Sequence, residues 1–298
     1  MKNVLKINRL TKKFGKLTAV DQLDLTIGKG QVYGILGPNG SGKTTTLGMI
    51  LEVVAPTSGD FEWFDGANNV EARQQIGAIL ETPCFYSYLT ATQNLRIIAH
   101  IKKSDPANID PILKQVNLFE RRNDKFKTYS LGMKQRLSLA AALLSDPPVL
   151  MLDEPTNGLD PEGIAEVRQL IQEIASQGKT IIMASHLLDE VQKVCSHFCI
   201  LRKGVKLYEG AVSDILGETN IVEIVSGDLG KLQEAVEDFD GTEKSQRENG
   251  SIKVFLKEGQ TSGQLNQYCF DQGITLKKLV PQSKSLEQEF LKILKEND

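Results

Sequence analysis

Long hydrophobic runs are missing from this 298-residue chain. No uninterrupted apolar stretch reaches the roughly 18 residues that a membrane-spanning helix needs. The longest candidate, 137–152, is broken by Asp146, Pro147 and Pro148. A spanning helix is therefore not expected, and any membrane role has to come through a partner. A strong charge imbalance is also missing, with 35 Lys+Arg against 38 Asp+Glu. A net charge of −3 argues against a large basic face, so nucleic acid is not expected as a partner. Cysteine is sparse and scattered, at Cys84, Cys195, Cys199 and Cys269. Cys195 and Cys199 would share a face if their stretch were helical, with His197 between them. A metal needs more ligands than that pair offers, so buried free thiols in a reducing compartment are the expectation. The basic N-terminus MKNVLKINRLTKKF lacks the apolar core of a signal peptide, which favours the cytosol. Neither an internal repeat nor a low-complexity tract is visible.

What is present is an ordinary globular composition, 40% hydrophobic and 24% charged, in a chain long enough for two domains. Pattern and charge divide it near residue 217. In 1–217, compact apolar runs at 31–36, 149–153 and 180–185 read as buried parallel strands between helical stretches, the α/β manner. Residues 91–145 read mostly helical, an inserted helical subdomain. In 218–298 the segments suggest a small α+β domain of βαββαβ order, followed by an amphipathic helix at 285–295. That region holds 10 Lys+Arg against 15 Asp+Glu, a balance of −5, which leaves +2 on the first 217 residues.

Four short motifs carry the chemistry. GPNGSGKT (37–44) follows the first apolar strand and opens a helical stretch, the context a phosphate-binding loop requires. Its glycines let backbone N–H groups turn toward a phosphate chain, and the helix N-terminus adds its dipole. Lys43 would reach the outer phosphates and the Thr44 hydroxyl would ligate Mg²⁺. VLMLDEP (149–155) delivers two carboxylates at a strand's C-terminal end, where ligands of parallel sheets collect. Asp153 is placed to hold Mg²⁺ through water, and Glu154 to polarise an attacking water. A pair of this kind without the phosphate loop reads equally well as a solvated turn. ASHLLDE (184–190) puts His186 after a third strand, positioned to contact a γ-phosphate or order the water. YSLGMKQR (129–136) is a helix start suited to receive an anion, a second one in the same chain.

Together these motifs resemble the ATP-binding subunit of an ABC transporter, in order, over about residues 3–217. The resemblance implies a P-loop ABC ATPase core with a mixed sheet. It also implies ATP contacts from Phe14, stacked on adenine, and from Gly37, Pro38, Asn39, Gly40, Ser41, Gly42, Lys43, Thr44 and Thr45. Glu154 and His186 become the catalytic pair, and Thr44, Asp153 and Glu81 the metal-facing set. YSLGMKQR stands where the family writes LSGGQ, and NGLD (157–160) is its D-loop. In this family the signature closes on the nucleotide of the other subunit, so Ser130, Gly132 and Asp160 would meet ATP held by a second copy bound head to tail.

Two departures stand out. Leu131 replaces the first signature glycine and Met133 the glutamine. Glu81 stands where the family norm is a glutamine, and with the PxFYxxLT context and the extra tail it is similar to the bacitracin-export and lantibiotic-immunity branch. The implied function is an ATPase, peripheral on the inner face of the cell membrane, that powers a separate permease exporting antibiotic-like peptides or lipids. A soluble, non-transport ABC ATPase is the alternative. Such proteins usually carry two ATPase modules or a long coiled-coil insertion, and neither is visible. A GTPase is disfavoured because the chain has no N-K-x-D string.

Overall fold

The strand order of the computed structural model explains why the motif residues meet. It describes residues 3–66, 70–80, 84–215, 218–283 and 286–296. Two compact units divide the chain, Met1–Val212 and Ser213–Glu296.

In the first unit, β1 (Asn3–Phe14) and β2 (Leu17–Gly28) form a long antiparallel hairpin. A tight connection at residues 15–16, in which Gly15 takes a φ of 58°, closes the hairpin beside Phe14. A second sheet contains β3 (Val32–Leu36), and β4 (Ser58–Trp63) joins β1 in the first. The remaining strands are β5 (Ile76–Ile79), β6 (Val149–Asp153), β7 (Thr180–Ser185), β8 (His197–Arg202) and β9 (Val205–Ala211). The second sheet runs in the order β5-β6-β7-β3-β8-β9, parallel except for the β8–β9 hairpin, so it is mixed.

Every residue of β3, β6 and β7 is buried, which is why these strands read as unbroken apolar runs rather than alternating ones. Their neighbours in the core include Leu47, Met49, Ile50 and Trp63, the last donating its indole N–H to Ile50 O at 2.9 Å. Parallel register pairs Leu36 with Ser185 and Asp153 with Ala184. The C-terminal ends of three adjacent strands are thereby level, and each continues directly into one motif.

Between Ala91 and Leu143 the described structure is helical, with Ala91–Lys102, Ile109–Gln115 and Leu131–Leu143 joined by short 3₁₀ turns. Thr90 starts the first of these helices with a reciprocal capping box to Gln93. At its far end Lys102 donates to Ala141 O and Ala142 O at 3.1 and 3.4 Å, satisfying late carbonyls of the helix Leu131–Leu143. Burial lowers the pKa of that ammonium.

The second unit holds β10 (Glu218–Ser226), β11 (Thr242–Glu248), β12 (Ser251–Leu256) and β13 (Leu276–Ser283) in the order β11-β12-β10-β13, all antiparallel. This is the split βαβ arrangement. Period-two alternation turns Val222, Ile224, Ile252, Val254 and Leu256 inward. Leu232 and Val236 from the helix Leu229–Asp238, and Leu265 and Cys269 from the helix Ser262–Asp271, complete that core.

One expectation changes. Cys195 and Cys199 do not share a helix face, because the helix Leu188–Val194 stops at Cys195 and Cys199 lies within β8. Both thiols are buried, as is Cys269, whereas Cys84 is exposed. Burial pushes the Cys199 thiol up to about 12 and raises Cys195 as well.

Candidate active site

The phosphate loop leaves β3 at Gly37, where the Gly37 N–H donates to Ser185 O at 3.3 Å. It ends at Gly42, which precedes the helix Lys43–Ile50 in a left-handed conformation with φ 106°. A Cβ at Gly42 would lie 2.5 Å from Ala19 O, so both the angle and the close approach demand glycine. Lys43, though nearly buried, keeps its charge compensated. Its Nζ donates to Gly37 O at 2.8 Å and Pro38 O at 3.2 Å, and lies 3.3 Å from Glu154 Oε1.

Glu154 sits one residue beyond β6 with φ 48°, a left-handed angle that costs a non-glycine residue on the order of 1 kcal/mol. Its backbone N–H donates to Ala184 O at 3.0 Å, which holds that turn against the end of β7. Its second oxygen, Oε2, accepts from the His186 backbone N–H at 3.3 Å and meets His186 Nδ1 at 2.8 Å. A carboxylate there places the ring proton on Nδ1 and leaves Nε2 as the other ring nitrogen. Lys43, Glu154 and His186 thus form one continuous polar chain across the ends of three strands. Asp153, the last residue of β6, is itself buried.

A cleft of about 520 Å³ opens onto this chain. It brings Phe14 together with Asn39, Gly40, Gly42, Lys43, Thr44, Thr45 and Glu154. Phe14 is 50% exposed, with Lys12 Nζ 4.9 Å from its ring centroid. Four cleft residues escaped the sequence reading: Leu17, Thr18, Ala19 and Lys203. Leu17, 65% exposed at the hairpin tip, could have been noticed as an apolar residue beside Phe14. Nothing local marks Lys203, which arrives through the β8–β9 turn.

Ser130, Gly132 and Asp160 line a different cleft of about 490 Å³. Ser130 Oγ accepts from the Met133 N–H at 3.2 Å, capping the helix Leu131–Leu143. Asp160 Oδ1 accepts from the Gly163 N–H at 3.0 Å, capping the helix Pro161–Ser176. Leu131 is 48% exposed on this cleft, and a Cβ at Gly158 would sit 3.3 Å from its Cδ2. The structure therefore brings the phosphate loop, Phe14, Glu154 and His186 together, and gathers the signature and D-loop residues at a second place. Glu81 lies outside the described residues.

Residues 20–157 match the family model described as ABC transporter. The chain is 40% identical to the bacitracin transport ATP-binding protein BcrA of Bacillus licheniformis, over 99% of this chain and 98% of that protein. It is 35% identical to the lantibiotic transport ATP-binding protein SrtF of Streptococcus pyogenes, over 76% of this chain and 97% of that one. Among solved structures, it resembles a dimeric ATP-binding cassette in a post-hydrolysis state with ADP and Pi, with a TM-score of 0.62, 26% identity, and coverage of 70% of this chain and 98% of that one.

A P-loop cassette whose sheet aligns a phosphate loop, a carboxylate and a histidine defines a nucleotide-hydrolysing class of protein. The chain belongs to the ABC transporter family as an ATP-binding subunit, and it is an ATPase whose hydrolysis powers transport. Cassettes of this family work as dimers with a membrane permease, and nothing in these comparisons supports a soluble, non-transport role. Among the described residues, no helix is long and apolar enough to cross a membrane.

Proposed function

We propose that the chain energises an exporter of antibiotic-like peptides or lipids from the inner face of the cell membrane. The cargo class rests on the bacitracin and lantibiotic transport relatives. The observation that carries the chemistry is the chain Lys43–Glu154–His186, with 3.3 and 2.8 Å contacts at the floor of the Phe14 cleft.

ATP would lie with its base on Phe14 and its phosphates along Gly37, Pro38, Asn39, Gly40, Ser41, Gly42, Lys43, Thr44 and Thr45. The incoming γ-phosphate offers the Lys43 ammonium a stronger anion than the Glu154 carboxylate. Glu154 is then released from its ion pair and can accept a proton from the attacking water, while His186 orders the γ-phosphate side. Thr44 and Asp153 supply oxygen donors of the kind Mg²⁺ takes. Among the described residues no group of three or more His, Cys, Asp or Glu could hold a metal. When bound, Mg²⁺ neutralises phosphate charge.

Ser130, Gly132 and Asp160 lie in a cleft of their own, which favours their use on ATP held by a second copy. Two copies related head to tail would each complete the other's site. The permease is proposed to dock at the apolar groove lined by Phe85, Tyr86, Ile97, Ile98 and Ile101, where Tyr86 is 52% and Ile101 72% exposed. The unit after 217 is read as an accessory domain that regulates or dimerises, outside the ATP chemistry.

Steady-state hydrolysis tests the reading. The purified protein should release phosphate from ATP, and Glu154→Gln should lower the rate at least a hundredfold while still binding ATP. Hydrolysis by Glu154→Gln at the wild-type rate would overturn it.

A further inference from the structure

The β8–β9 turn is sewn into the nucleotide cleft from two sides. The Gly204 N–H donates to Ser41 O in the phosphate loop at 3.0 Å, and the Asp21 N–H of β2 donates to Gly204 O at 2.8 Å. The turn is thus held between the loop that grips phosphate and the hairpin that carries Phe14 and Leu17. The residue before Gly204 is Lys203, exposed, with φ 48°, and it lines the same cleft as Phe14 and Lys43. Lys206, three residues on, is engaged by Glu209 Oε2 at 2.5 Å and Asp24 O at 2.6 Å. Lys203 has no such carboxylate among the described residues.

We propose that Lys203 is a nucleotide-binding residue whose ammonium contacts the phosphate nearest the nucleoside, complementing Lys43 at the outer phosphates. The placement follows from the two anchors. Lys43 is drawn to the floor of the cleft by Gly37 O, Pro38 O and Glu154, the side where the terminal phosphate belongs. A residue fixed between the hairpin and the phosphate loop faces the junction of nucleoside and phosphate chain. A flexible lysine stem suits a point-charge contact there. Because the ammonium stays hydrated, the contact is worth less than a buried one. The inference rests on the Phe14 cleft being the ATP site, and the test separates the two.

Calorimetric titration of the full chain with ATP and with ADP decides it. Lys203→Asn is the first variant, since asparagine tolerates the left-handed backbone. It should weaken both nucleotides by about the same factor, roughly fivefold, because ATP and ADP share the innermost phosphate. Lys203→Glu should weaken both further, and Lys203→Arg should stay near wild type. If Lys203→Asn and Lys203→Glu bind like wild type while Lys43→Ala binds far more weakly, the role of Lys203 is refuted and the site stands. If Lys43→Ala also binds like wild type, site and inference both fall. A loss for ATP without a loss for ADP overturns the placement at the innermost phosphate.

Discussion

Lys43 Nζ lies 3.3 Å from Glu154 Oε1, joining the first residue of the helix Lys43–Ile50 to the turn after β6, with β7 lying between β3 and β6. The cation proposed to grip phosphate and the carboxylate proposed to activate water therefore hold one another in place. Removing the lysine removes both the phosphate contact and the partner of a mostly buried carboxylate. Lys43→Ala should weaken ATP binding about a hundredfold, near 2.7 kcal/mol at room temperature. Calorimetry on a variant whose melting curve stays cooperative checks this, and unchanged affinity would contradict it.

A second ion pair ties the two helices that follow the D-loop and His186. Arg168 Nη1 contacts Glu190 Oε1 at 2.7 Å, and Glu190 is 4% exposed. Arg168→Ala leaves that carboxylate buried and unpaired, so it should destabilise the first unit by about 3 kcal/mol. The double variant Arg168→Ala, Glu190→Gln should recover part of the loss. Urea unfolding followed by Trp63 fluorescence reads the effect, because the chain's single tryptophan is buried in that unit.

Thiol labelling should distinguish Cys84 from the other cysteines. Cys84 is exposed, while Cys195, Cys199 and Cys269 are buried with thiol pKa values raised by burial. At pH 8 in native buffer one equivalent of iodoacetamide should react quickly, and Cys84→Ser should abolish that phase. Rapid labelling of two or more thiols would contradict this packing.

Truncation after Gly217 should leave nucleotide affinity within about twofold of wild type. The second unit has its own core around Val222, Ile252 and Leu265, and the phosphate loop, Glu154 and His186 all belong to the first. Loss of ATP binding in a folded truncation would show that the C-terminal residues support the site. Altered permease coupling with intact binding is the expected consequence instead.

Much of this was legible because the chemistry is local and the strands that deliver it are buried on both faces. VLMLD and TIIMAS announce themselves as continuous apolar runs, and each ends at its own motif. The βαββαβ order of the second unit was legible from alternation, as in β12, where Ile252, Val254 and Leu256 point inward and Lys253 and Phe255 do not. What escaped depends on topology. Lys203 reaches the cleft because β8 lies beside β3, a pairing that no short stretch of sequence encodes. The capping bonds of Ser130 and Asp160 are local, yet they leave open which surface those residues serve. The separate elements of Cys195 and Cys199 were not legible, because spacing alone cannot distinguish a helix from a helix end followed by a strand.

In the proposed dimer two copies share each ATP, one through Lys43 and the other through Ser130 and Gly132. Light scattering of Glu154→Gln with ATP and Mg²⁺ tests it most directly, since slow hydrolysis preserves the closed state. The mass should rise from the 32.9 kDa of one chain to about twice that, and fall back when ATP is removed. Adding Gly132→Glu to the same chain should abolish the dimer. A Cβ at Gly132 would meet Leu159 Cδ2 at 3.9 Å, an ordinary contact distance, so the fold tolerates the change while a carboxylate faces the partner's phosphates. A Glu154→Gln protein that stays monomeric with ATP and Mg²⁺, or dimerises equally well with Gly132→Glu, would contradict the shared-site account.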